Sequence, residues 1–214
     1  MTVVYLMRHS KGKLERENKN ISESFQITNE KYILSVEGER LAFAYSKLKE
    51  LHGLSGVFSS NYVRTMATAK YVAFNNKLPL IIDEDFNERV FGIGKREDLP
   101  ADFFKKQIAN RDYKLKNGES FNEVKTRMLK GLIKVMKKNK GKKSLIVSHG
   151  SSIAFLLSKW CDISYDNNNY IIKYKGKLVL NGFDSPDLLE LKFNEKNKLT
   201  NIRRVALNKE NKKK

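Results

Sequence analysis

The sequence predicts a three-layer α/β/α sandwich: a mostly parallel sheet with helices on both faces, an inserted cap, and antiparallel hairpins at the C-terminal end. Three observations predict it. Short apolar runs at residues 2–7, 56–59, 79–82 and 144–148 are too brief for helices and lack strict alternation, the pattern of strands buried on both faces. Between them lie longer stretches with apolar positions at helical spacing, which argues for strand–helix–strand units. Two of the three histidines, His9 and His149, each stand directly beyond one of these runs, and the carboxyl ends of such strands are where ligand sites form.

The elements follow in chain order. Residues 2–7 (Thr-Val-Val-Tyr-Leu-Met) form the first strand, and the polar stretch 11–33 reads as a loop or frayed helix. Leu41, Ala44, Tyr45, Leu48 and Leu51 recur at helical spacing across 36–51. A second strand at 56–59 precedes a helix at 61–75, with Asn61 a suitable N-cap. The third strand, 79–82, carries its proline at the start, where a missing N–H matters least. Gly92, Gly94, Pro100 and Gly118 break the rhythm over 86–118, which reads as a cap inserted above the sheet edge. A helix over 120–138 places Phe121, Val124, Met128, Leu132 and Val135 on one stripe. The fourth strand, 144–148, leads into a helix at 151–160, where Ser151 and Ser152 are expected to cap the helix. Residues 170–180 and 188–205 read as hairpin strands around Lys175-Gly176 and 195–198.

The chain of 214 residues suits one domain over 1–205, with 86–118 as its cap and 206–214 as a basic, disordered tail. Hydrophobic residues at 40%, with 12 Phe and 9 Tyr, supply a full core. No apolar run approaches the ~18 residues of a membrane span, and no secretory leader pattern opens the chain. One cysteine, Cys161, excludes an internal disulfide and suits a reducing cytoplasm. The net charge of +18 comes largely from lysine blocks at 134–143 and 209–214. These lysines are not interleaved with aromatics, so nucleic acid is not the expected partner. A solvated basic surface that attracts anionic substrates is the expectation. Nothing in the sequence sets an oligomeric state.

Four pieces carry chemistry: Arg8-His9-Ser10, Ser59-Ser60 followed by Arg64-Thr65, Glu88-Arg89-Val90-Phe91-Gly92, and Ser148-His149-Gly150. If their strands are neighbours, all four open on one sheet edge. Arginine offers a planar fork of donors that matches phosphate oxygens, and helix N-termini add further donors. Phosphoryl transfer needs mainly positioning and positive electrostatics around an anion. An imidazole among cations stays neutral and free to attack, and a lone carboxylate can protonate the leaving oxygen. Asp83, Glu84 and Asp85 lie on the same loop, but Phe91-Gly92 favours Glu88 as that acid. His52, at a helix end, reads as an ordinary polar cap.

Together these motifs resemble the histidine phosphatase superfamily, the phosphoglycerate-mutase-like group, across nearly the whole chain and in the expected order. Supporting matches are Leu34-Ser35 with Gly38 and Ala42, and Gly118-Glu119-Ser120 with Arg127. The resemblance implies that His9 is the nucleophile carrying a phosphohistidine. It implies that Arg8, Arg64 and His149 bind phosphate and that Glu88 is the proton donor. It implies no metal and no cofactor, in keeping with the lack of metal-ligand spacing. Ser10 and Ser151 are candidates for additional phosphate contacts. The sequence departs from the family twice: Ser10 stands where glycine is usual, and Glu15 stands where phosphosugar-binding members often carry asparagine.

The function expected is therefore a metal-independent phosphomonoesterase acting on a small phosphorylated metabolite. The first alternative is a cofactor-dependent phosphoglycerate mutase, disfavoured by the compact chain and by Glu15. An alternative from another class, motivated by the charge, is a non-catalytic basic module that binds nucleic acid or an acidic partner. Lys95, Arg96, Lys105 and Lys106 read either as ordinary surface residues or as contacts for a second anionic group on the substrate.

Overall fold

Four parallel strands form one side of the sheet, from one edge inward, because their residues are apolar on both faces. In a computed structural model, which describes residues 1–13 and 23–207, these are β1 (Thr2–Arg8), β2 (Gly56–Ser59), β3 (Leu80–Ile82) and β4 (Lys143–Ser148). Glu15 and residues 208–214 of the expected tail lie outside the described residues. Val4 and Leu6 of β1 point into one core with Phe58 and Ile146, while Val3, Tyr5 and Met7 point into the other with Val57 and Leu145. Successive side chains of a strand alternate between faces, so a continuous apolar run serves both cores at once. Leu6 is fully buried, and its truncation to Ala would cost roughly 2–5 kcal/mol.

The helices cover both faces. On one side lie α2 (Val36–Ser46) and α3 (Val63–Asn75); on the other lie α5 (Phe121–Lys138) and α6 (Gly150–Leu157). The α5 helix begins with a capping box, in which the Ser120 hydroxyl accepts from the Glu123 N–H and the Glu123 carboxylate accepts from the Ser120 N–H. Its stripe of Phe121, Val124, Met128, Leu132 and Val135 is buried as the spacing predicts.

The strand order is β3-β2-β4-β1-β8-β9, with β8 (Asp187–Phe193) and β9 (Leu199–Val205). The first four strands run parallel, β8 pairs antiparallel with β1, and β9 pairs antiparallel with β8. The three-layer α/β expectation thus holds, and both expected hairpins form. They part company in space, however. The 188–205 hairpin extends the main sheet, whereas β6 (Asn169–Tyr174) and β7 (Lys177–Asn181) join β5 (Asp162–Asp166) in a separate antiparallel sheet.

Several boundaries differ from the sequence reading. The 36–51 helix stops at Ser46, because Leu48 turns extended (ψ 133°) before a short 3-10 turn at Lys49–Leu51. Tyr62, not Asn61, is the N-cap of α3, and the Asn61 N–H is taken by the Asn87 side chain. A short helix α1 (Phe25–Lys31) stands inside the stretch read as a loop or frayed helix; none of its residues is buried, so it shows no core-facing stripe. The cap region contains α4 (Phe103–Ala109), whose Phe104 stacks on Tyr165 of β5 at 5.3 Å. Its two ends are drawn together at Gly92 and Gly118. Gly92 has φ +75°, and a Cβ there would lie 2.4 Å from the Gly118 nitrogen, so only glycine fits.

Candidate active site

Three strand ends deliver the candidate residues. Arg8 and Ser148 are register partners in the β1–β4 ladder, and the next residue on each strand is a histidine. The His9 N–H donates to the Ser148 carbonyl at 3.0 Å. The two imidazoles therefore start from adjacent strands and stand 5.3 Å apart at 61°. Beyond β2, Ser60 and the first turn of α3 bring in Arg64 beside His149.

Hydrogen bonds set the protonation of each ring. Nδ1 of His9 lies 2.8 Å from the Ser10 carbonyl, which can only accept. Nδ1 therefore carries the proton, and Nε2 presents its lone pair. At His149, Arg64 Nη2 meets Nδ1 at 3.0 Å. A guanidinium only donates, so Nδ1 accepts and Nε2 donates to the Ser60 hydroxyl at 2.9 Å. Tyr62 closes the pocket, its ring 4.7 Å from that of His149. Its hydroxyl accepts from Gln26 of α1, and burial pushes its pKa up to about 12.

Both imidazoles are held neutral. Burial lowers the His9 pKa well below its ordinary value, and the charges of Arg64 and Arg8 push it down further. Burial also dominates at His149, followed by Arg64 and the neighbouring His9. A neutral ring facing cations is ready to attack or hold an anion.

The arginines keep donors in reserve. Arg8 Nη1 donates to the Phe183 carbonyl at 2.9 Å, while its Nε is buried without a partner. A buried donor left unmade costs about 1–3 kcal/mol, which an oxyanion in the pocket would relieve. Arg64 is 4% exposed; its Nη1 donates to the Asn29 carbonyl of α1. The Glu88 charge acts on both Arg8 and Arg64, which places the carboxylate at the same site. Glu88 Oε1 accepts from the Arg89 N–H at 2.9 Å and from the Ser152 hydroxyl at 3.1 Å. Its loop is clamped by Arg127, which donates to the carbonyls of Asp85, Asn87 and Glu88 while pairing with Glu119 at 2.7 Å.

Thus His9, His149, Arg8, Arg64 and Glu88 gather at one sheet edge. A family model described as histidine phosphatase superfamily (branch 1) matches residues 4–185. The chain belongs to the histidine phosphatase superfamily. Among curated relatives, the probable phosphoglycerate mutase GpmB of Cronobacter sakazakii is 28% identical over 165 residues, covering 74% of each chain. The solved structure of mycobacterial glucosyl-3-phosphoglycerate phosphatase matches with a TM-score of 0.68 at 16% identity, over 96% of this chain and 98% of that one. Phosphoserine phosphatase from Entamoeba histolytica matches at 0.64 and 19% identity, over 95% and 97%. At such identities these structures establish the fold.

Other residues of this superfamily member take places the sequence did not give them. The Ser10 hydroxyl donates to the Gly38 carbonyl at 2.7 Å, and its N–H donates to Thr68. Ser10 is not among the residues with positive φ, so a side chain is accommodated there, turned away from the pocket. Ser151 and Ser152 do not cap α6; His149 is the N-cap and no side chain caps the helix. Ser151 accepts from Arg89 Nη2 at 3.0 Å and from the Tyr170 hydroxyl, and Ser152 donates to the Asn87 carbonyl.

Arg89 is the residue the sequence did not single out. It is fully buried, with Phe91, Phe103, Phe104 and Phe155 around its guanidinium at 4.5–5.3 Å. It donates to the Gln107 side chain and to Ser151, joining the cap helix α4 to the start of α6. The four pieces of chemistry gave no signal for this, because the partners come from distant segments. Lys95, Arg96, Lys105 and Lys106 are exposed, and Lys106 pairs with Asp102. Among the described residues, no group of three His, Cys, Asp or Glu could hold a metal ion, and no helix is long and apolar enough to cross a membrane.

Proposed function

We propose that this chain is a cytoplasmic, metal-independent phosphomonoesterase that acts on a small phosphorylated metabolite through a phosphohistidine at His9. The observation that carries the reading is the state of His9: Nδ1–H is tied to the Ser10 carbonyl, and the ring is kept neutral by burial and two arginines. Nε2 attacks phosphorus as the bond to the leaving oxygen breaks. Glu88, protonated, gives its proton to that oxygen. Arg8, Arg64 and His149 hold the remaining phosphoryl oxygens, where charge spread over the group demands fixed donors. Water then attacks the phosphohistidine while the Glu88 carboxylate takes its proton, releasing phosphate and restoring the Nε2 lone pair.

For His149 to donate to the phosphoryl group through Nδ1, its proton must move from Nε2, or the ring must be protonated, as an anion enters between it and Arg64. The dianion itself favours that change, since it removes the electrostatic reason for neutrality. Residues 86–118 form a cap over this edge within a single domain, and Glu88 lies at its start.

The test is phosphate release from para-nitrophenyl phosphate in the presence of a chelator, compared with His9→Ala. Release that resists the chelator and disappears in the variant supports the reading. Release that persists in His9→Ala overturns the nucleophile. The second reading, a phosphoglycerate mutase, is favoured by the name its relatives carry. Conversion of 3-phosphoglycerate into its 2-phospho isomer with little free phosphate would establish it instead.

A further inference from the structure

A second concave surface stands away from the candidate active site, at the far ends of α5 and α6. Helices that follow parallel strands return toward the opposite sheet edge, so their C-terminal ends lie remote from His9 and His149. There α5 and the turn after α6 enclose a groove of about 600 Å³, within the range of small-molecule sites, about 300–1,000 Å³. Its apolar lining comes from Leu129, Leu132, Ile133 and Met136 of α5, facing Trp160 and Phe193. Ile133 is 57% exposed, an aliphatic side chain that the fold leaves on the groove's edge.

The charge around the groove has one sign. Lys137, Lys140 and Lys159 line it, with no carboxylate in the lining. Among the described residues, none of these three lysines is in an ion pair with an acid. Gathered, uncompensated cations beside an apolar trough call for an anion with a hydrocarbon body.

We propose that this groove binds a single-chain amphiphile of the fatty-acid type, its anionic head held by the lining lysines Lys137, Lys140 and Lys159 and its alkyl chain along Leu129, Leu132 and Trp160. A second copy of the chain is a poor occupant, because a net charge of +18 repels itself. A flat bilayer would leave a concave trough unfilled. The inference is independent of the reaction proposed for His9.

Trp160 is the only tryptophan in the chain, so its fluorescence reports on the groove alone. The experiment titrates the full chain with dodecanoate below its micellar range, with dodecyltrimethylammonium as the cationic control of equal length. A saturable blue shift with the carboxylate, and none with the ammonium, supports the proposal. The Lys140→Glu/Lys159→Glu variant should bind dodecanoate at least about tenfold more weakly, a charge-dependent loss of roughly 1.4 kcal/mol. Ile133→Ser, an exposed change that spares the core, should weaken binding without altering the charge preference. Equal responses to both amphiphiles overturn the proposal. So does a response to phosphatidylglycerol vesicles without one to dodecanoate, which would make this face a membrane contact.

Discussion

Two buried arginine sites lie on either side of Glu88, and they behave as opposites. Around Arg8 and Arg64, the neighbours are neutral imidazoles and backbone carbonyls. Around Arg89, four phenylalanine rings and two polar side chains fill the space. The first arrangement leaves positive charge aimed at a pocket; the second wraps it in π-faces, which attract a cation without offering room to a ligand. The lesson is that a buried, unpaired Nε, present in both Arg8 and Arg89, does not by itself mark an anion site; what faces the rest of the guanidinium decides.

Substitutions can break this contrast. The largest effect is expected from Arg64→Gln, with a fall in kcat/KM of about 10²–10³-fold, the usual weight of one fixed donor on developing charge. Its thermal midpoint should fall as well, because the Asn29 carbonyl and His149 Nδ1 lose a buried donor. Steady-state kinetics beside a melting curve would check both halves.

Arg89→Met should act on stability and leave the donors of Arg8 and Arg64 in place. It leaves the Gln107 and Ser151 groups without their donor, at a cost of roughly 2–4 kcal/mol. For a chain of this size that lowers the thermal midpoint by about 4–16 °C. A variant that keeps its midpoint but loses activity would mean that Arg89 belongs with the anion-binding arginines.

The third expectation concerns pH. Burial and then Arg64 hold His9 below its ordinary pKa of 6.5, so loss of kcat/KM from His9 protonation lies below that pH. Arg64→Gln removes one cause, and the acid limb of its profile should move upward. The same depression has a stability sign. The unfolded chain binds protons at these histidines below about pH 6.5 while the folded chain resists. Stability is therefore full above that value and falls as pH drops through it toward the folded pKa values. Urea unfolding across pH 5–7.5 should show this slope, and His9→Gln/His149→Asn should flatten it.

The smallest effect is expected at Ser10. Replacing it with glycine removes the bond to the Gly38 carbonyl, for about 0.5–1.5 kcal/mol, and leaves turnover nearly unchanged because the hydroxyl faces away from the pocket. A marked loss of turnover would show that the hydroxyl reaches phosphate after all.

Much of this molecule was legible because local pattern and tertiary role agree. The runs ending at His9 and His149 are apolar on both faces, so burial, strand type and site position were all readable from a few residues. Arg64 was findable from its position at a helix start just after a strand, and Glu88 from the Phe91-Gly92 that follows it. What escaped reading has identifiable causes. Helix α1 buries nothing, so Gln26 and Asn29, which reach Tyr62 and Arg64, gave no periodic signal. Strand β5 reads Asp-Ile-Ser-Tyr-Asp, in which only Ile163 is buried, and it follows a helix end without a turn signal. The cage around Arg89 assembles residues from 91 to 155, a convergence that no window of sequence contains.

The bond from His9 to the Ser148 carbonyl has one more consequence, for how such a protein can change over generations. The spacing between the two imidazoles is set by the rungs of one β-ladder, not by any loop. Segments outside that ladder, such as the stretch between Gly92 and Gly118, can therefore be rewritten by insertion or substitution without changing the spacing of the two imidazoles. New substrates can be sampled at the rim while the chemistry beneath is inherited intact.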